Sequence, residues 1–380
     1  MKQEEKRFYP VMCVTHDCNL SCVYCYQKHR AGLKMSFETG KTIVDWIFNN
    51  VPPEINTVEI QFIGGEPLLE FELIKNIVEY TLNKETQYNV IFFASTNGTV
   101  LTDEMKSWFI NNNKRVILGL SLDGDRETHN HNRCNSFDSI DFDFFKSNWP
   151  KQGIKMTLSE YSLSNLAHDI KYLHSLGIND IKGVNLFEGE HDWSDEKYIK
   201  IIVPQLKEIV DFYVENPEIS VSQLFDKRLD FCEVKNDKRK KWCGIGDSTV
   251  FFDVDGKKYP CTFITPMTFS KNEIENMPDI DYTNDNNFVD EECINNCYIY
   301  PICHTCYGAN YMVTKDFKIR NKSKCQIQKI ITLFIADLQA KRIQKDSKII
   351  KDDDTLFYTI EAIKKIRELY LDMVAATQIS

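Results

Sequence analysis

The sequence predicts an α/β fold: a partial (β/α)6 barrel of the TIM type, followed by a cysteine-rich domain and terminal helices. Short runs rich in Val, Ile and Phe alternate six times with longer amphipathic segments over about the first 215 residues. Polar motifs with Gly, Ser and Asn follow the second, third and fourth of these runs. From residue 243 the pattern changes, because seven of the thirteen cysteines lie there.

The six apolar runs are expected to form strands. They are Tyr9–Val14, Val58–Ile63, Val90–Ala94, Val116–Leu120, Lys155–Leu158 and Ile181–Asn185. The segments between and after them predict helices over Ser36–Asn49, Leu73–Leu82, Asp103–Ile110, Phe142–Trp149, Ser164–Leu176 and Glu196–Val214. Six consecutive βα units indicate parallel strands with right-handed crossovers. Six units are too few to close an eight-stranded barrel, so we expect an open one.

Capping residues set three of the predicted helix ends. Ser36 is expected to begin the first helix, and Ser164 the fifth. Gly177 then ends the fifth helix as a residue of the left-handed region.

The chain is expected to divide into four parts. They are the barrel at 1–215, a linker with an approach helix at 216–242, a cysteine-rich domain at 243–330 and C-terminal helices at 331–380. The run Lys238-Arg239-Lys240-Lys241 is interpreted as a solvated end of the linker, since Lys and Arg are rarely buried. Two amphipathic segments, Ile327–Gln344 and Thr359–Met373, predict packing helices without chemical motifs.

Composition excludes several classes of protein. A hydrophobic content of 42% is ordinary for a globular chain. No run of about 18 apolar residues predicts a membrane helix, and the start of the sequence does not resemble a signal peptide, so a cytoplasmic protein is expected. Without export, thirteen cysteines indicate metal ligands rather than disulfides. The net charge of −10 argues against general nucleic-acid binding.

The stretch Cys18-Asn-Leu-Ser-Cys22-Val-Tyr-Cys25 places three thiols within eight residues. Thiolates normally hold the four irons of a [4Fe–4S] cluster, so three cysteines leave one iron open. An open position is typical of a catalytic metal rather than a structural one. Buried core cysteines or half of a zinc site are the alternatives, but zinc pairs are usually C-x2-C with a second pair later. The spacing favours a three-cysteine cluster.

This C-x3-C-x2-C pattern, with Tyr24 before its last cysteine, resembles the radical S-adenosylmethionine (SAM) enzymes. The resemblance implies that the open iron binds the amino and carboxylate groups of SAM. It further implies that an electron from the cluster cleaves SAM to a 5′-deoxyadenosyl radical, which abstracts a hydrogen atom from the substrate. The six-unit barrel is also the core that this family has.

Three further motifs are expected beside the cluster loop, because catalytic groups of βα barrels lie at the carboxyl ends of the strands. They are Gly64-Gly65-Glu66-Pro67, Ser95-Thr96-Asn97-Gly98 and Ser121-Leu122-Asp123-Gly124. The first resembles the family's Gly-Gly-Glu motif, in which glycines allow close approach to a ligand. Its carboxylate would accept hydrogen bonds from the SAM ammonium group. A simple turn is the alternative.

The resemblance also implies polar contacts to the SAM ribose and carboxylate. A guanidinium suits the carboxylate through a bidentate pair. The implied SAM-binding residues are Tyr24, Gly64, Gly65, Glu66, Ser95, Asn97, Ser121 and Arg133. For Arg133 a surface position in a polar loop is the alternative. His129 and His131 fit a loop as well as a substrate contact, while Cys13 and Cys134 are expected to be plain thiols.

A β-hairpin is predicted after residue 243. Val250–Val254 and Lys257–Pro260 flank an Asp-Gly turn, which favours a tight hairpin. This hairpin would bring Cys243 and Cys261 near each other.

The later cysteines resemble the SPASM extension of the superfamily. The first half of the SPASM pattern is matched by Cys243-x12-Gly256-x4-Cys261. The second half, C-x2-C-x5-C-x3-C and a distant cysteine, is matched by Cys293-x3-Cys297-x5-Cys303-x2-Cys306 and Cys325. The central spacing is the same, and the first and last spacings each differ by one residue. The resemblance implies one auxiliary [4Fe–4S] cluster on Cys293, Cys297, Cys303 and Cys325, and another on Cys243, Cys261 and Cys306. Structural zinc is the alternative, since thiolates suit either metal.

Two departures from the family pattern bear on the chemistry. No cysteine lies between Cys243 and Cys261, so the nearer auxiliary cluster has an open iron or is closed by Asp247 or Cys232. Thr262 follows Cys261 where sulfatase-maturing relatives have an Asp base, and Thr does not act as a carboxylate base at neutral pH.

The sequence thus predicts a peptide maturase with three [4Fe–4S] clusters and SAM as cofactors. It would install a thioether or carbon-bonded crosslink in a ribosomally made precursor peptide, with a flavodoxin or ferredoxin as electron donor and no nucleic-acid or membrane partner. Anaerobic sulfatase maturation is the alternative reaction. An iron–sulfur electron carrier or scaffold protein, or a zinc-based binding module, is the alternative of another class.

Overall fold

A computed structural model describes residues 6–29, 32–234 and 240–375 of the 380-residue chain. The chain forms two compact units. The first unit comprises Met1–Leu122, Arg133–Gln152 and Cys243–Asn284, and the second comprises Asp123–Asn132, Gly153–Trp242 and Asp285–Ser380. The domain boundaries expected at 215, 242 and 330 remain predictions.

All six predicted strands are present, each within two residues of its predicted ends. The strands are β1 (Arg7–Thr15), β2 (Thr57–Gly64), β3 (Asn89–Thr96), β4 (Val116–Leu120), β5 (Ile154–Leu158), β6 (Ile181–Leu186), β7 (Thr249–Phe252) and β8 (Lys258–Tyr259). The last two form the predicted hairpin, in which Gly256 at the turn has a φ of +82°.

All the predicted helical segments are helices, but the fifth and the last begin earlier than predicted, the last at Asp353 rather than Thr359, and Arg126–Asn132 is a helix that was not predicted. The helices are α1 (Phe37–Asn49), α2 (Phe71–Leu82), α3 (Asp103–Asn112), α4 (Arg126–Asn132), α5 (Phe142–Asn148), α6 (Glu160–Ser175), α7 (Glu196–Glu215), α8 (Lys271–Glu275), α9 (Glu291–Asn296), α10 (Tyr307–Thr314), α11 (Cys325–Lys345) and α12 (Asp353–Ala375). Ser36 caps α1 as predicted. The cap predicted at Ser164 is wrong, because Ser159 and Ser162 form a capping box one turn earlier.

The sheet of the first unit has the strand order β4-β3-β2-β1-β7-β8. Strands β1 to β4 are parallel neighbours, as βα repeats require. The sequence pattern did not predict that β7 would pair in parallel with the free edge of β1, with Met12 opposite Phe252. The carboxyl ends of β1 and β7 therefore lie side by side, and the cluster loop and the hairpin turn begin there.

The second unit contains the parallel pair β5-β6. Alternate residues of this pair are buried, including Met156, Leu158 and Val184. Helices α6, α7, α11 and α12 belong to the same unit. Ser159 begins α6 and Gly177 follows its end with a φ of +80°, as predicted.

Among the described residues, no helix is both long and apolar enough to span a bilayer. Of the predicted solvated run, Lys238 and Arg239 lie outside the described residues, and Lys240 is exposed. For Lys241 the prediction is wrong, because its side chain is 5% exposed. Its ammonium lies 3.9 Å from Asp285 and over the ring of Phe288, so it is partly paired rather than solvated.

Candidate functional site

The predicted cluster loop follows β1 directly, at the carboxyl edge of the first unit's sheet. Its three cysteines, Cys18, Cys22 and Cys25, are half-buried thiols outside any disulfide. The loop turns tightly, since the backbone N–H of Cys25 donates to the carbonyl of Cys22 at 3.1 Å. The N–H of Leu20 donates to the sulfur of Cys18 at 3.4 Å. Backbone donors of this kind favour a thiolate.

Gly64 and Gly65 are required by the cluster loop itself. A Cβ at Gly65 would lie 2.3 Å from the carbonyl oxygen of Asp17 and 2.7 Å from the Cβ of Cys18, and one at Gly64 would lie 2.3 Å from the carbonyl oxygen of Thr15. The N–H groups of Gly65 and Glu66 donate to Thr15 and Asp17. The two glycines therefore let the loop after β2 pack directly on the segment that carries Cys18.

Glu66 is a buried carboxylate, 1% exposed, that joins the loops after β2 and β3. One of its oxygens accepts from the Thr96 hydroxyl at 2.8 Å and from the N–H of Leu68 at 3.1 Å, and the other accepts from the N–H of Asn97 at 2.8 Å. Burial raises the pKa of Glu66 to about 6, against these hydrogen bonds and the charge of Arg133. In this structure the carboxylate is satisfied by protein donors.

Asn97 extends this network to the cluster loop. Its amide nitrogen donates to Asn19 at 2.9 Å, and Asn19 donates to the hydroxyl of Thr99 at 2.7 Å. The two predicted serines lie on neighbouring strands: Ser95 pairs in register with Gly119 on β3 and β4, and the N–H of Ser121 donates to Thr96 at 3.0 Å. All three predicted positions thus lie at the ends of β3 and β4.

Arg133 is 7% exposed, and its guanidinium lies 5.4 Å from the centre of the Tyr24 ring. The alternative of a surface position therefore does not hold, and a cation–π contact fixes the side chain beside the cluster loop. Cys134, expected to be a plain buried thiol, is instead exposed and accepts from the N–H of Ser21 at 3.2 Å. The structure thus brings Tyr24 and Arg133 together, and their contacts with SAM stay predictions.

The hairpin places Cys243 and Cys261 near each other, as predicted. The charge of Cys243 and, more strongly, burial raise the pKa of Cys261 to about 11. The cluster loop contacts the segment after Cys261, since the rings of Tyr26 and Phe263 stack at 4.8 Å. Cys306 belongs to the second unit, so the three-cysteine set that includes it remains a prediction.

Cys13, His16 and Asp253 form a buried polar cluster where β1 and β7 end, with ligand atoms within 4.8 Å of one another. The His16 Nε2 lies 2.7 Å from an oxygen of Asp253. Two ligands of one tetrahedral zinc would be roughly 3.3 Å apart, given bonds of 2.0–2.1 Å. The geometry is therefore that of a hydrogen-bonded group that ties β1 to β7. Cys13 is the buried thiol that the sequence predicts.

A cavity of about 260 Å³ in the second unit is lined by cysteines. Five line it: Cys293, Cys297, Cys303, Cys306 and Cys325. Four of these form the predicted farther auxiliary set. Burial, and then the nearby thiols of Cys303, Cys293 and Cys297, raise the pKa of Cys325 to about 11. The four thiols are thus close enough to interact. Burial also raises the pKa of Cys293 and of Cys303, so binding a metal to these buried thiols would release protons.

Cations surround this cysteine-lined cavity. The Lys322 ammonium lies 2.9 Å from the sulfur of Cys293, and Arg320 donates to the carbonyl of Cys303 at 2.8 Å. Lys324 is paired with Glu188. His304 also lines the cavity, and burial together with nearby cations lowers its pKa to about 4, so it is neutral.

Residues near the end of β4 form a separate buried group in the second unit. His129 is buried and faces the N–H of Asp123, whereas His131 is exposed and stacks on Tyr161 at 3.9 Å. Both lie on α4 rather than in the predicted loop. Burial, with two neighbouring aspartates, raises the pKa of Asp169 to about 7.

Sequence reasoning missed several residues that contact the predicted ligands. The buried position of Thr96 could have been predicted from the alternation of β3, because Val90, Phe92 and Ala94 lie on the same buried face. Arg320, Lys322 and Tyr370 lie outside every motif, and the phenol of Tyr370 on α12 is close enough to Cys297 to interact with it electrostatically. Helix α12 was expected to carry packing residues alone.

The donor sets fit the groups that the motifs imply. Half-buried thiols in a tight loop, with a buried carboxylate network beside them, suit an iron–sulfur cluster and a polar ligand. A cavity lined by several thiols suits a second cluster with soft ligands. The ligand sets themselves stay predictions.

Comparison with known proteins gives matches over most of the chain. The model of the Radical SAM superfamily matches residues 12–142. A cysteine-type anaerobic sulfatase-maturating enzyme of Clostridium novyi is 22% identical over 322 residues, which are 76% of this chain and 84% of that enzyme.

Two solved structures share the fold. Native anSMEcpe with bound AdoMet has a TM-score of 0.66 and 19% identity, over 90% of this chain and 100% of that one. Streptococcus suis SuiB bound to its precursor peptide SuiA has a TM-score of 0.55 and 16% identity, over 83% of this chain and 75% of that one. These matches confirm the predicted α/β fold class.

Proposed function

We propose that this chain, whose residues 12–142 form a domain of the Radical SAM superfamily, is a radical SAM enzyme that oxidatively modifies a ribosomally made peptide by installing a crosslink. The bond formed is a thioether or a carbon–carbon bond. Superfamily membership implies one [4Fe–4S] cluster and SAM. The two auxiliary clusters, the peptide substrate and a flavodoxin or ferredoxin as electron donor are parts of the proposal.

The cysteine-lined cavity carries this proposal. A chain that only cleaves SAM needs the cluster loop, yet this one maintains four interacting thiols in another part of the fold. Closing a crosslink from a carbon radical releases one electron, which requires an acceptor. An iron–sulfur cluster in the cavity would be such an acceptor, since its potential lies within reach of protein electron carriers.

The residues of the first unit have distinct roles in this scheme. When bound, the cluster and SAM supply a 5′-deoxyadenosyl radical. Cys18, Cys22 and Cys25 would hold the cluster, and the hydrogen bonds of Glu66 hold the loops after β2 and β3 in place around it. Arg133, fixed over Tyr24, would offer its guanidinium to the SAM carboxylate.

Relatives with peptide substrates support the choice of substrate. SuiB was solved with a precursor peptide, and anSMEcpe with AdoMet and a peptide called Kp18Cys. Both share the fold over more than four fifths of this chain. A cyclopropyl synthase of Paramaledivibacter caminithermalis matches a third of the chain and belongs to the same superfamily.

Sulfatase maturation is the second candidate, favoured by the match to the C. novyi enzyme over 76% of the chain. Thr262 disfavours it, because formation of formylglycine would use the carboxylate base that Thr262 replaces. Cys261, just before it, has a raised pKa and is itself a predicted ligand rather than a base.

Mass spectrometry of a peptide encoded beside the gene tests both candidates. After anaerobic incubation with SAM and reductant, a crosslinked peptide is lighter by two hydrogens for each bond and retains its sulfur. Formylglycine made from Cys would instead replace sulfur by oxygen. Replacement of sulfur by oxygen in the peptide or in a sulfatase segment would contradict the crosslinking proposal. A peptide recovered unmodified while SAM is cleaved would contradict the choice of peptide.

The proposed cluster number has its own test. Ten predicted ligands divide into three for the SAM cluster and seven for the auxiliary clusters. Three clusters predict about twelve irons per chain. Saturation near eight irons after reconstitution would contradict the three-cluster arrangement.

A further inference from the structure

The cysteine-lined cavity contains a buried cation that no carboxylate neutralises. Arg320 is 5% exposed, and among the described residues no carboxylate oxygen lies within 4.0 Å of its guanidinium. Its contacts are the carbonyl and thiol of Cys303 and the face of Tyr300, whose ring centre is 4.1 Å away. The Nε atom is buried without a hydrogen-bond partner. A buried unpaired charge is costly, so a counter-charge is expected.

Two other cations near the cavity differ from Arg320. Lys322 lies 3.2 Å from Asp290 and 3.4 Å from Glu292, and Lys324 is paired with Glu188. Their charges are largely balanced by these carboxylates. Lys227, which also lines the cavity, has no carboxylate within 4.0 Å among the described residues. Of the two cations without such balance, Arg320 donates directly to Cys303, one of the four thiols of the predicted auxiliary set.

Two further side chains interact with sulfurs of the same set. The Lys322 ammonium donates to Cys293 at 2.9 Å, and the phenol of Tyr370 is close enough to Cys297 to interact with it electrostatically. Tyr370 is 6% exposed, so this interaction is little screened by water. Three of the four thiols thus have a positive or polar group nearby.

We propose that Arg320 is the counter-charge of an anionic iron–sulfur cluster in this cavity, and that Arg320, Lys322 and Tyr370 together raise its reduction potential. This inference rests on the auxiliary cluster of the proposed function. It adds which residues make that cluster able to accept the electron that crosslinking releases. The cluster gains one negative charge on reduction, and nearby cations and hydrogen-bond donors stabilise the reduced state more than the oxidised one.

The direction in which each substitution should shift the reduction potential can be predicted. Arg320→Met removes an unbalanced charge, so the reduced cluster becomes less favoured by at least about tenfold, which for a one-electron couple is 59 mV. Arg320→Lys keeps the charge and should restore most of the potential. Tyr370→Phe removes a polar hydroxyl group without a charge, so its shift should have the same sign and be smaller.

Redox titration followed by electron paramagnetic resonance measures this potential on the reconstituted full-length enzyme. Repeating it in the Cys18/Cys22/Cys25→Ala background removes the signal of the SAM cluster and leaves the auxiliary signals. The matched controls are Lys318→Met, an exposed cation two residues from Arg320, and Tyr358→Phe on α12. Both should leave the potential unchanged.

An unchanged potential in Arg320→Met with full iron content would overturn the inference, as would a shift of equal size in Lys318→Met. If Arg320→Met loses about four irons, recovery of that iron in Arg320→Lys supports the counter-charge, and loss in both variants contradicts it. No peptide is used, so a failed crosslinking assay leaves this result intact. A wild-type enzyme without any auxiliary signal would instead contradict the proposed function.

Discussion

Replacing Glu66 by Gln is expected to break one side of the carboxylate network and leave the other side intact. One oxygen of Glu66 serves Thr96 and Leu68, and the other serves the N–H of Asn97 alone. The amide of Gln keeps one acceptor oxygen, which two donors hold toward Leu68 and Thr96. Its NH2 group then faces the N–H of Asn97, donor against donor.

The size of the effect follows from the lost bond. A hydrogen bond to a charged group contributes about 1.5–3 kcal/mol, and leaving a buried donor unsatisfied costs a similar amount. Since 1.4 kcal/mol corresponds to a factor of ten, the Asn97 amide should open about ten- to a hundredfold more often. Glu66→Ala removes both oxygens, so Leu68 should lose its protection as well.

Hydrogen exchange resolved to single amides is the direct assay, on the reconstituted enzyme under anaerobic conditions. Glu66→Gln should accelerate exchange at Asn97 and leave Leu68 within about threefold of wild type, since surface-like effects stay near 0.5 kcal/mol. Glu72→Gln is the matched control, because that carboxylate is 65% exposed on the neighbouring helix. The affinity for SAM should fall by about tenfold or more in Glu66→Ala.

Unchanged exchange at Asn97 in Glu66→Gln would refute this reasoning, because the hydrogen bond would then contribute nothing. Equal acceleration at Leu68 and Asn97 would also refute it, since the two oxygens would not act separately. Unchanged SAM affinity in Glu66→Ala would remove Glu66 from the SAM site while leaving its structural role.

Three further predictions concern other contacts. Gly65→Ala should lower the iron content by about four per chain, because its Cβ would lie 2.3 Å from the carbonyl oxygen of Asp17. Asp253→Asn should lower stability by about 1–3 kcal/mol in denaturant unfolding, since it weakens the bond to His16. For Asp169 the folded-state pKa is raised to about 7, so its contribution is fully present below pH 4 and is lost as the pH rises through about 7. Wild type should therefore lose up to about 4 kcal/mol over that range, and Asp169→Asn should flatten the profile.

Each of these predictions has a contradicting result. Full iron in Gly65→Ala would mean that the cluster loop moves aside without cost, and Gly256→Ala, at a positive φ but with only a side-chain methyl within 4 Å, is its control. Wild-type stability in Asp253→Asn would mean that the cluster of Cys13, His16 and Asp253 does not tie β1 to β7. A pH profile that is the same in wild type and Asp169→Asn would assign the pH dependence to other groups.

The fold was predictable because its signals are local. Strand alternation and capping residues such as Ser36 and Gly177 depend on neighbours within a few positions, and those neighbours are read directly from the sequence. The pairing of β7 with β1 was not predictable, since it joins positions about 240 residues apart and no local pattern encodes it. The start of α6 was also misplaced. Ser159 and Ser164 can both cap a helix, and the local sequence does not show which of them does so.

The candidate site also has a part that the sequence predicts and a part that it does not. Cys18, Cys22, Cys25 and Glu66 lie in short motifs whose spacing carries the chemistry. Arg320, Lys322 and Tyr370 meet the predicted ligands only after folding, and Tyr370 lies 73 residues from Cys297 along the chain. An isolated Arg or Tyr in a sequence carries no signal of what it contacts. The hydrogen bonds of Glu66 could not be predicted either, because they join residues of two loops that meet only in the folded chain.

Reductive formation of 5′-deoxyadenosine from SAM is the most direct test of the central claim, that this chain cleaves SAM at the cluster loop and holds further clusters elsewhere. The reconstituted wild-type enzyme should form 5′-deoxyadenosine with a strong reductant. Replacing Cys18, Cys22 and Cys25 together by Ala should abolish it and leave about eight irons per chain, those of two auxiliary clusters. SAM cleavage that persists in the triple variant would contradict the claim, and so would loss of all iron together with the activity.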